Sequence, residues 1–479
     1  MEKMAHFFSF KTPRKIRLTW DELALIATLL VGLFLRVYKI KDYIVFLGDE
    51  GRDVLVVYEI LHGNLTLLGP TSSVGGFFLG PIYYYMMAPF LWLSNYDPVG
   101  PAIMVALIGV ITIYLVYLMG KDFFGTKAGL IASLLYAVSP IVILYSHSSW
   151  NPNVFPFFTI SSLYVLYKAI SQNKPKLFVL AGILMGVNLQ IHYLATFVGA
   201  VMFFYVLFAD FSFKTTYLIQ LTKRYLGMLI GFLIGFSPFL AFEIRHDFAN
   251  SQNIVNFIFN SPETGAGSQA FLNIRLVFER LFGGLVTSLP TSNNFIKFDS
   301  STIQIWFAAS IFLGLVSSIF FMILFLKSRN NKKEFQKYLL LFTWAIVGIG
   351  LFGLYNKPIY DYYLGFLFPL PFLLVGLLFS EIILILKKLG VALVFIFLAI
   401  LVLVNLKFSP ITVPGNQQVN QMETISDFVL SKTNGDPFNF ALNTGGNSDH
   451  AYRYFFKLRG RDPVVIQYTG IDPDRHSVT

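Results

Sequence analysis

The chain has 479 residues, 55% of them hydrophobic and only 13% charged, with 52 Phe and 25 Tyr. So little charge beside so many large apolar side chains excludes a soluble globular protein and requires a polytopic membrane protein. The net charge of +10 reads as loop topology rather than nucleic-acid binding, and the absence of cysteine excludes disulfides, thiolate metal sites and cysteine nucleophiles.

The N-terminus is basic (Lys3, Lys11, Arg14, Lys15, Arg17) and turns apolar from Leu23 to Tyr38, with no small-residue cleavage site following; this is the pattern of an uncleaved signal anchor. Apolar stretches predict transmembrane helices near 22–40, 99–119, 128–146, 154–170, 177–191, 195–209, 225–242, 301–326, 338–355, 363–385 and 389–407, about eleven in all. The stretch 76–94 is apolar but short and carries Pro81 and Pro89. Counting it as a span would reverse every later loop, so it reads as an interfacial or re-entrant helix. With that choice about twenty basic residues fall on short inner segments, including the run Lys327 to Lys337, and the N-terminus is cytoplasmic.

The outer side then holds loops at 41–98, 146–153 and 243–300, the last with an amphipathic helix at 270–287, and a polar tail from 408 to 479. Alternation in Phe438 to Leu442 and Pro463 to Ile466, with a helical stretch at 417–432, predicts a small C-terminal α/β appendage. The chain thus divides into a transmembrane unit, 1–407, and an extracytoplasmic unit, 408–479.

Polar clusters at span ends mark the candidate site. The first is Gly48-Asp49-Glu50-Gly51-Arg52-Asp53. Ionisable groups beside a bilayer are costly unless used. Asp49 suits a general base that takes a proton from an attacking hydroxyl or amine, with Glu50 beside it; the plainer reading is an acidic start to a helix at 51–62. The second is Tyr145-Ser146-His147-Ser148-Ser149-Trp150-Asn151-Pro152-Asn153, where His147 suits a metal or phosphate and Asn151 and Asn153 a sugar, or where an interfacial Trp anchors a polar turn. His192-Tyr193 follows at a break between spans, where a lone His serves a backbone hydrogen bond or catalysis. Phe242 to Asp247 contributes Glu243 and Arg245, as an ion pair or with Glu243 and Asp49 as oxygen ligands to a divalent metal. Last is Asn356-Lys357-Pro358-Ile359-Tyr360-Asp361-Tyr362-Tyr363, with Lys357 for a phosphate and tyrosines for sugar stacking, or an aromatic belt with a snorkelling Lys. Under one topology all these clusters lie on one face.

The order of these motifs resembles the polyprenyl-phosphate-sugar-dependent glycosyltransferases of the GT-C fold, the protein O-mannosyltransferase and aminoarabinose transferase group. The resemblance rests on Gly48-Asp49-Glu50, on Leu79-Gly80-Pro81-Ile82-Tyr83-Tyr84-Tyr85, on Gly120-Lys121-Asp122-Phe123-Phe124-Gly125, on Ser139-Pro140 followed by Tyr145-Ser146, and on Asp361-Tyr362-Tyr363 with Pro369. It covers 20–245 well and 245–385 more weakly; the tail matches no pattern. What it implies is an all-α polytopic transferase with an extracytoplasmic active site in the cell (inner) membrane. A polyprenyl-phosphate monosaccharide is the donor, and a lipid, protein or glycan is the acceptor. Asp49 is the base, Glu50 supports it, and Arg52, Tyr83, His147, Asn151, Asn153, His192, Arg245, Lys357, Tyr360 and Tyr362 face substrate. The family's second outer loop carries a carboxylate after Tyr-Ser and this one does not, which leaves His147, Arg245 or Lys357 to face the phosphate. A lipid-carrier flippase would need charges near mid-span and internal repeats, and neither is seen. An oligosaccharide polymerase or ligase of related architecture stays open through the long loop 243–300. No phosphate-binding Gly-x-x-x-x-Gly-Lys-Ser/Thr run supports an ATPase.

Overall fold

The computed structural model describes residues 18–72, 76–260, 269–289, 300–355, 358–444 and 448–464. The first part of the bundle comprises α1 (Trp20–Val37), α2 (Ile40–Tyr43), α3 (Gly48–Leu61), α4 (Ile82–Leu93), α5 (Val99–Phe124), α6 (Thr126–Val138), α7 (Pro140–Leu144), α8 (Phe155–Ser171), α9 (Pro175–Ile191) and α10 (Ala195–Phe208). The second comprises α11 (Thr215–Gly235), α12 (Ser237–Arg245), α13 (Ala249–Asn260), α14 (Ala270–Glu279), α15 (Ser300–Lys327), α16 (Lys332–Gly350) and α17 (Pro369–Lys407). The tail adds α18 (Gln418–Lys432) and α19 (His450–Leu458).

Among the described residues, six helical segments are long and apolar enough to cross a membrane: α5, α8 with the turn from Asn151, α11, α15 extended to Asn330, α16 extended to Leu354, and α17. The shorter apolar helices α6, α9 and α10 lie where spans were expected. Lys387 has φ 50° and ψ −122°, so α17 consists of two helical arms meeting at the expected Lys387-Lys388 turn. The 76–94 stretch forms the twelve-residue α4 with Pro89 inside it, packed on α3 and α5. The amphipathic helix expected at 270–287 is α14 continued by a π-helical turn, Arg280–Val286.

Local chemistry explains the helix ends. Glu22 and Thr19 cap α1 reciprocally: Thr19 N donates to Glu22 Oε2 at 2.8 Å, and Glu22 N donates to Thr19 Oγ1 at 3.3 Å. Asn331 Oδ1 accepts Lys333 N at 3.2 Å and Glu334 N at 3.3 Å to open α16. Small residues let two helices meet backbone to backbone. A Cβ on Gly231 of α11 would fall 1.9 Å from Val179 O, and one on Gly182 of α9 would fall 2.0 Å from Met228 O. One charge inside the bundle escaped the sequence reading. Arg36 of α1 is fully buried and gives Nη1 to Gly32 O and to Ala137 O, each at 3.0 Å. Ala137 is in the last turn of α6, whose carbonyls need donors where Ser139-Pro140 ends the helix. Away from the candidate site, Asp210 binds Arg224 Nη2 at 2.6 Å, Lys332 Nζ at 2.9 Å and Gln336 Nε2 at 2.7 Å, tying the α10–α11 turn to α16.

In place of the expected α/β appendage, the described residues of the tail hold two helices and extended chain, with no strand among them. One backbone bond, Val464 N to Phe438 O at 2.8 Å, joins the two segments expected to alternate; Ile466 lies outside the described residues. The tail does not stand apart. Gln417 N donates to Asp42 O at 2.9 Å, Phe46 N to Gln418 Oε1 at 2.9 Å, and Tyr454 OH to Tyr96 O at 2.5 Å. All three bonds join it to the 41–98 loop.

Candidate active site

The acidic cluster opens α3. Glu50 folds back so that Oε2 accepts Leu47 N at 3.1 Å, closing the first turn. Its side chain is buried, and burial, with the charge of Asp49 adding, pushes Glu50 up to about 8, so it is neutral at pH 7. Asp53, one turn on, is 0% exposed. Its Oδ1 accepts Arg52 Nε at 3.0 Å, Arg52 Nη2 at 2.8 Å and Tyr84 OH at 3.2 Å, while Oδ2 is buried without a hydrogen bond. Burial outweighs the neighbouring guanidinium and raises Asp53 to about 6. Asp49 differs from both. Its side chain is 54% exposed, and Oδ1 accepts Arg52 Nη1 at 3.0 Å. Of the three carboxylates that open α3, Asp49 alone faces outward, held by a guanidinium anchored beneath it.

Tyr83 and Tyr84 of α4 cover this cluster. The hydroxyls of Tyr83 and Ser149 share a hydrogen bond of 2.9 Å, which carries the connection to the 146–153 loop. Burial holds Tyr83 well above the usual phenol range, with the charges of Asp53 and Glu50 adding. The next residue, Trp150, lies with its ring 4.5 Å from that of Tyr362. Tyr362 stacks in turn on Tyr360 at 5.7 Å and an interplanar angle of 13°, and Tyr360 is 53% exposed. Ser149 and Trp150 thus join the carboxylate helix on one side to an aromatic rim on the other.

Several expected substrate contacts turn inward. His147 is buried, stacks on Tyr43 at 5.3 Å and has Nε2 3.1 Å from Leu35 O; burial lowers it to about 4, so the ring is neutral. Asn151 Nδ2 donates to Ile191 O at 2.7 Å, and Asn153 Nδ2 to Ser148 O at 2.8 Å. His192 is buried between Phe155 and Tyr193 at 5.3 and 4.7 Å, and its Nδ1 accepts Leu194 N at 3.1 Å. Burial lowers His192 to about 3. Each of the four engages backbone through one side-chain nitrogen, which is how buried turns satisfy their main chain, while Asn153 Oδ1 is buried without a hydrogen bond.

Glu243 and Arg245 do not pair. Glu243 is buried at the end of α12 and accepts Ser251 N at 2.7 Å, while Oε1 has no hydrogen bond. Arg245 is exposed and meets no carboxylate among the described residues. This region touches the first outer loop through Asn250, which binds Phe78 N at 2.7 Å and Phe78 O at 2.9 Å. Asp49 and Glu243, expected as metal ligands, are engaged by different partners, and among the described residues no three His, Cys, Asp or Glu side chains stand together for a metal. Among the described residues the donor set does not fit a resident metal ion. Lys357 lies outside the described residues.

The sequence reading missed Arg280. It sits at the head of the π-helical turn and gives Nη1 to Ile359 O at 2.5 Å and to Asp361 Oδ1 at 3.1 Å, with the pair about a third exposed. The available signal was Phe282-Gly283-Gly284 late in an amphipathic helix, a sequence suited to the π-turns often found at functional sites.

Residues 79–242 match the model of the dolichyl-phosphate-mannose-protein mannosyltransferase family. Among solved structures, the chain is similar to ArnT from Cupriavidus metallidurans bound to undecaprenyl phosphate, with 13% identity, a TM-score of 0.63, and coverage of 95% of this chain and 87% of that one. It is also similar to the Archaeoglobus fulgidus oligosaccharyltransferase in the apo form, with 15% identity, a TM-score of 0.55, and coverage of 94% of this chain and 65% of that one. The archaeal oligosaccharyltransferase AglB from Archaeoglobus fulgidus, in complex with an inhibitory peptide and a dolichol-phosphate, aligns at 15% identity and a TM-score of 0.52, over 94% of this chain and 64% of that one. The chain therefore spans somewhat less than two thirds of the oligosaccharyltransferases' length. No curated protein matches it by sequence. These findings agree with the resemblance read from the motifs: the fold is that of the polytopic GT-C glycosyltransferases. Within it, residues 79–242 carry the mannosyltransferase family's pattern.

Proposed function

We propose that the protein is a membrane glycosyltransferase that moves a monosaccharide from a polyprenyl-phosphate donor to an acceptor hydroxyl or amine, with Asp49 as general base. The observation that carries the reading is the contrast within one helix turn: Asp49 is exposed and fixed by Arg52, while Glu50 and Asp53 are buried. The acceptor oxygen or nitrogen attacks the anomeric carbon as Asp49 takes its proton. The bond from that carbon to the phosphate oxygen breaks, and the polyprenyl phosphate leaves with the electron pair, inverting the sugar. Arg52 acts through Asp49, holding its carboxylate in line for the proton. Trp150, Tyr360 and Tyr362 provide faces on which a sugar ring stacks.

The reading includes eleven membrane crossings, counting α1, α5, α6, α8–α11, α15, α16 and the two arms of α17. It places the N-terminus in the cytoplasm and the site outside the cell (inner) membrane, with 1–407 as the transferase unit and 408–479 as the extracytoplasmic one. The donor class draws support from the lipid phosphates bound by ArnT and AglB. The likeness to an oligosaccharyltransferase favours a second reading, in which a preassembled oligosaccharide is transferred.

The test is a transfer assay in membranes with radiolabelled polyprenyl-phosphate donors of one sugar and of several, comparing the wild type with Asp49→Asn. One single-sugar donor is consumed, and the variant loses turnover while its folded yield is unchanged. Equal turnover by the variant removes Asp49 from the mechanism, and consumption of long donors alone selects the second reading.

A further inference from the structure

α19 runs beside α3 in the same direction and is anchored to it at both ends. At one end the backbones touch: a Cβ on Gly51 would fall 2.3 Å from Ala451 N and 2.7 Å from His450 C. This contact lies between Glu50 and Arg52, within the acidic cluster. At the other end, eight residues or about 12 Å along α3, Glu59 Oε1 meets Lys457 Nζ at 2.5 Å, with both side chains less than a quarter exposed. Between the anchors, Ala451, Tyr454 and Phe455 are buried. The rings of Tyr454 and Phe455 approach Phe46, just before α3, at 6.2 and 5.7 Å edge to face. α3 thus lies between α4 and α19. A short helix carrying buried Glu50, Arg52 and Asp53 gains little from its own sequence and depends on what packs against it.

We propose that α19 is a positioning element of the transferase: docked along α3, it fixes the direction in which Asp49 presents its carboxylate, and Lys457 locks the register of the two helices through Glu59. Gly51 is required because any side chain there would push the α19 backbone away. The contact with Tyr96 O extends the clamp to the turn that precedes α5, so one tail helix holds both the start and the far end of the first outer loop. The proposal rests on the reading of α3 as the catalytic helix.

The test is charge reversal on the full-length protein in nanodiscs, with hydrogen exchange and transfer measured together. Lys457→Glu puts two carboxylates in contact, and exchange of the 48–61 amides rises about tenfold while α5 is unchanged. Turnover falls through kcat, with KM for the donor unaltered. Lys457→Glu combined with Glu59→Lys restores the pair, and with it both slow exchange and turnover. Unchanged exchange in α3 of the single variant overturns the proposal, as does raised exchange with full turnover. Failure of the wild type to use any lipid-linked sugar would sink the transferase reading separately; the exchange arms would still decide whether α19 orders α3.

Discussion

Arg52 binds Asp53 through two nitrogens, Nε at 3.0 Å and Nη2 at 2.8 Å, and both go to the same oxygen, Oδ1. The third nitrogen, Nη1, reaches Asp49 at 3.0 Å. One planar cation therefore links a buried carboxylate to an exposed one. Such a fork suits Arg and not Lys, whose ammonium is a single point with no fixed plane.

Removing that cation strands a charge. Arg52→Ala is expected to destabilise the protein by about 3–5 kcal/mol, because Asp53 is left in the interior without its partner. Adding Asp53→Asn should recover much of the loss. Arg52→Lys should keep more stability than Arg52→Ala yet lower turnover, since Asp49 loses its fixed support. Thermal unfolding in detergent and the transfer assay together check these outcomes; an Arg52→Ala protein that melts with the wild type would contradict the geometry.

Glu50 gives a pH signature. Its folded pKa of about 8 lies above its ordinary value, so the folded state holds the proton more tightly than the unfolded chain does. Stability therefore falls as pH rises from about 4.5 to 8, the window in which the unfolded chain ionises and the folded one resists. Asp53, raised to about 6, adds a smaller fall below it. Glu50→Gln keeps the acceptor for Leu47 N and removes the ionisation. Its melting temperature relative to wild type should climb with pH, by several degrees between pH 5 and pH 8. A flat difference across that range would show that Glu50 ionises freely.

The aromatic rim is testable through binding. Tyr362→Ala removes a face that touches both Trp150 and Tyr360 and should raise KM for the donor or the acceptor about fivefold, from roughly 1 kcal/mol of stacking, with kcat little changed. Tyr362→Trp should retain near-normal KM. Initial rates at varied donor and acceptor settle which substrate stacks there.

The helices were most legible where the apolar run is long, as in α5, α15 and α17, and the break in α17 fell at the Lys387-Lys388 pair that the charge pattern marks. The acidic start of α3 was legible as well, since adjacent carboxylates at the end of an apolar stretch stand out. The direction each polar side chain takes was not. His147 and Asn151 read as substrate contacts and His192 as either a backbone-bonded or a catalytic residue; all three pack inward because Tyr43, Ile191 and Phe155 come from other segments to meet them. The tail was the largest omission. Its bonds to the first outer loop join residues 358 to 398 positions apart, and no local pattern in Tyr454 or Asn416 announces Tyr96 or Tyr43. Arg280 was hidden for the opposite reason: its helix was expected, and the irregular turn within that helix was not.

The union of the first outer loop with the last helix has a consequence for biogenesis. Gly51 is made early in synthesis, whereas Ala451 emerges only after α17 has been made. Contacts of such sequence separation form late. The start of α3 therefore cannot take its final surroundings helix by helix during synthesis, and a nascent chain arrested before residue 450 would hold α1 to α17 without the helix that packs on Gly51.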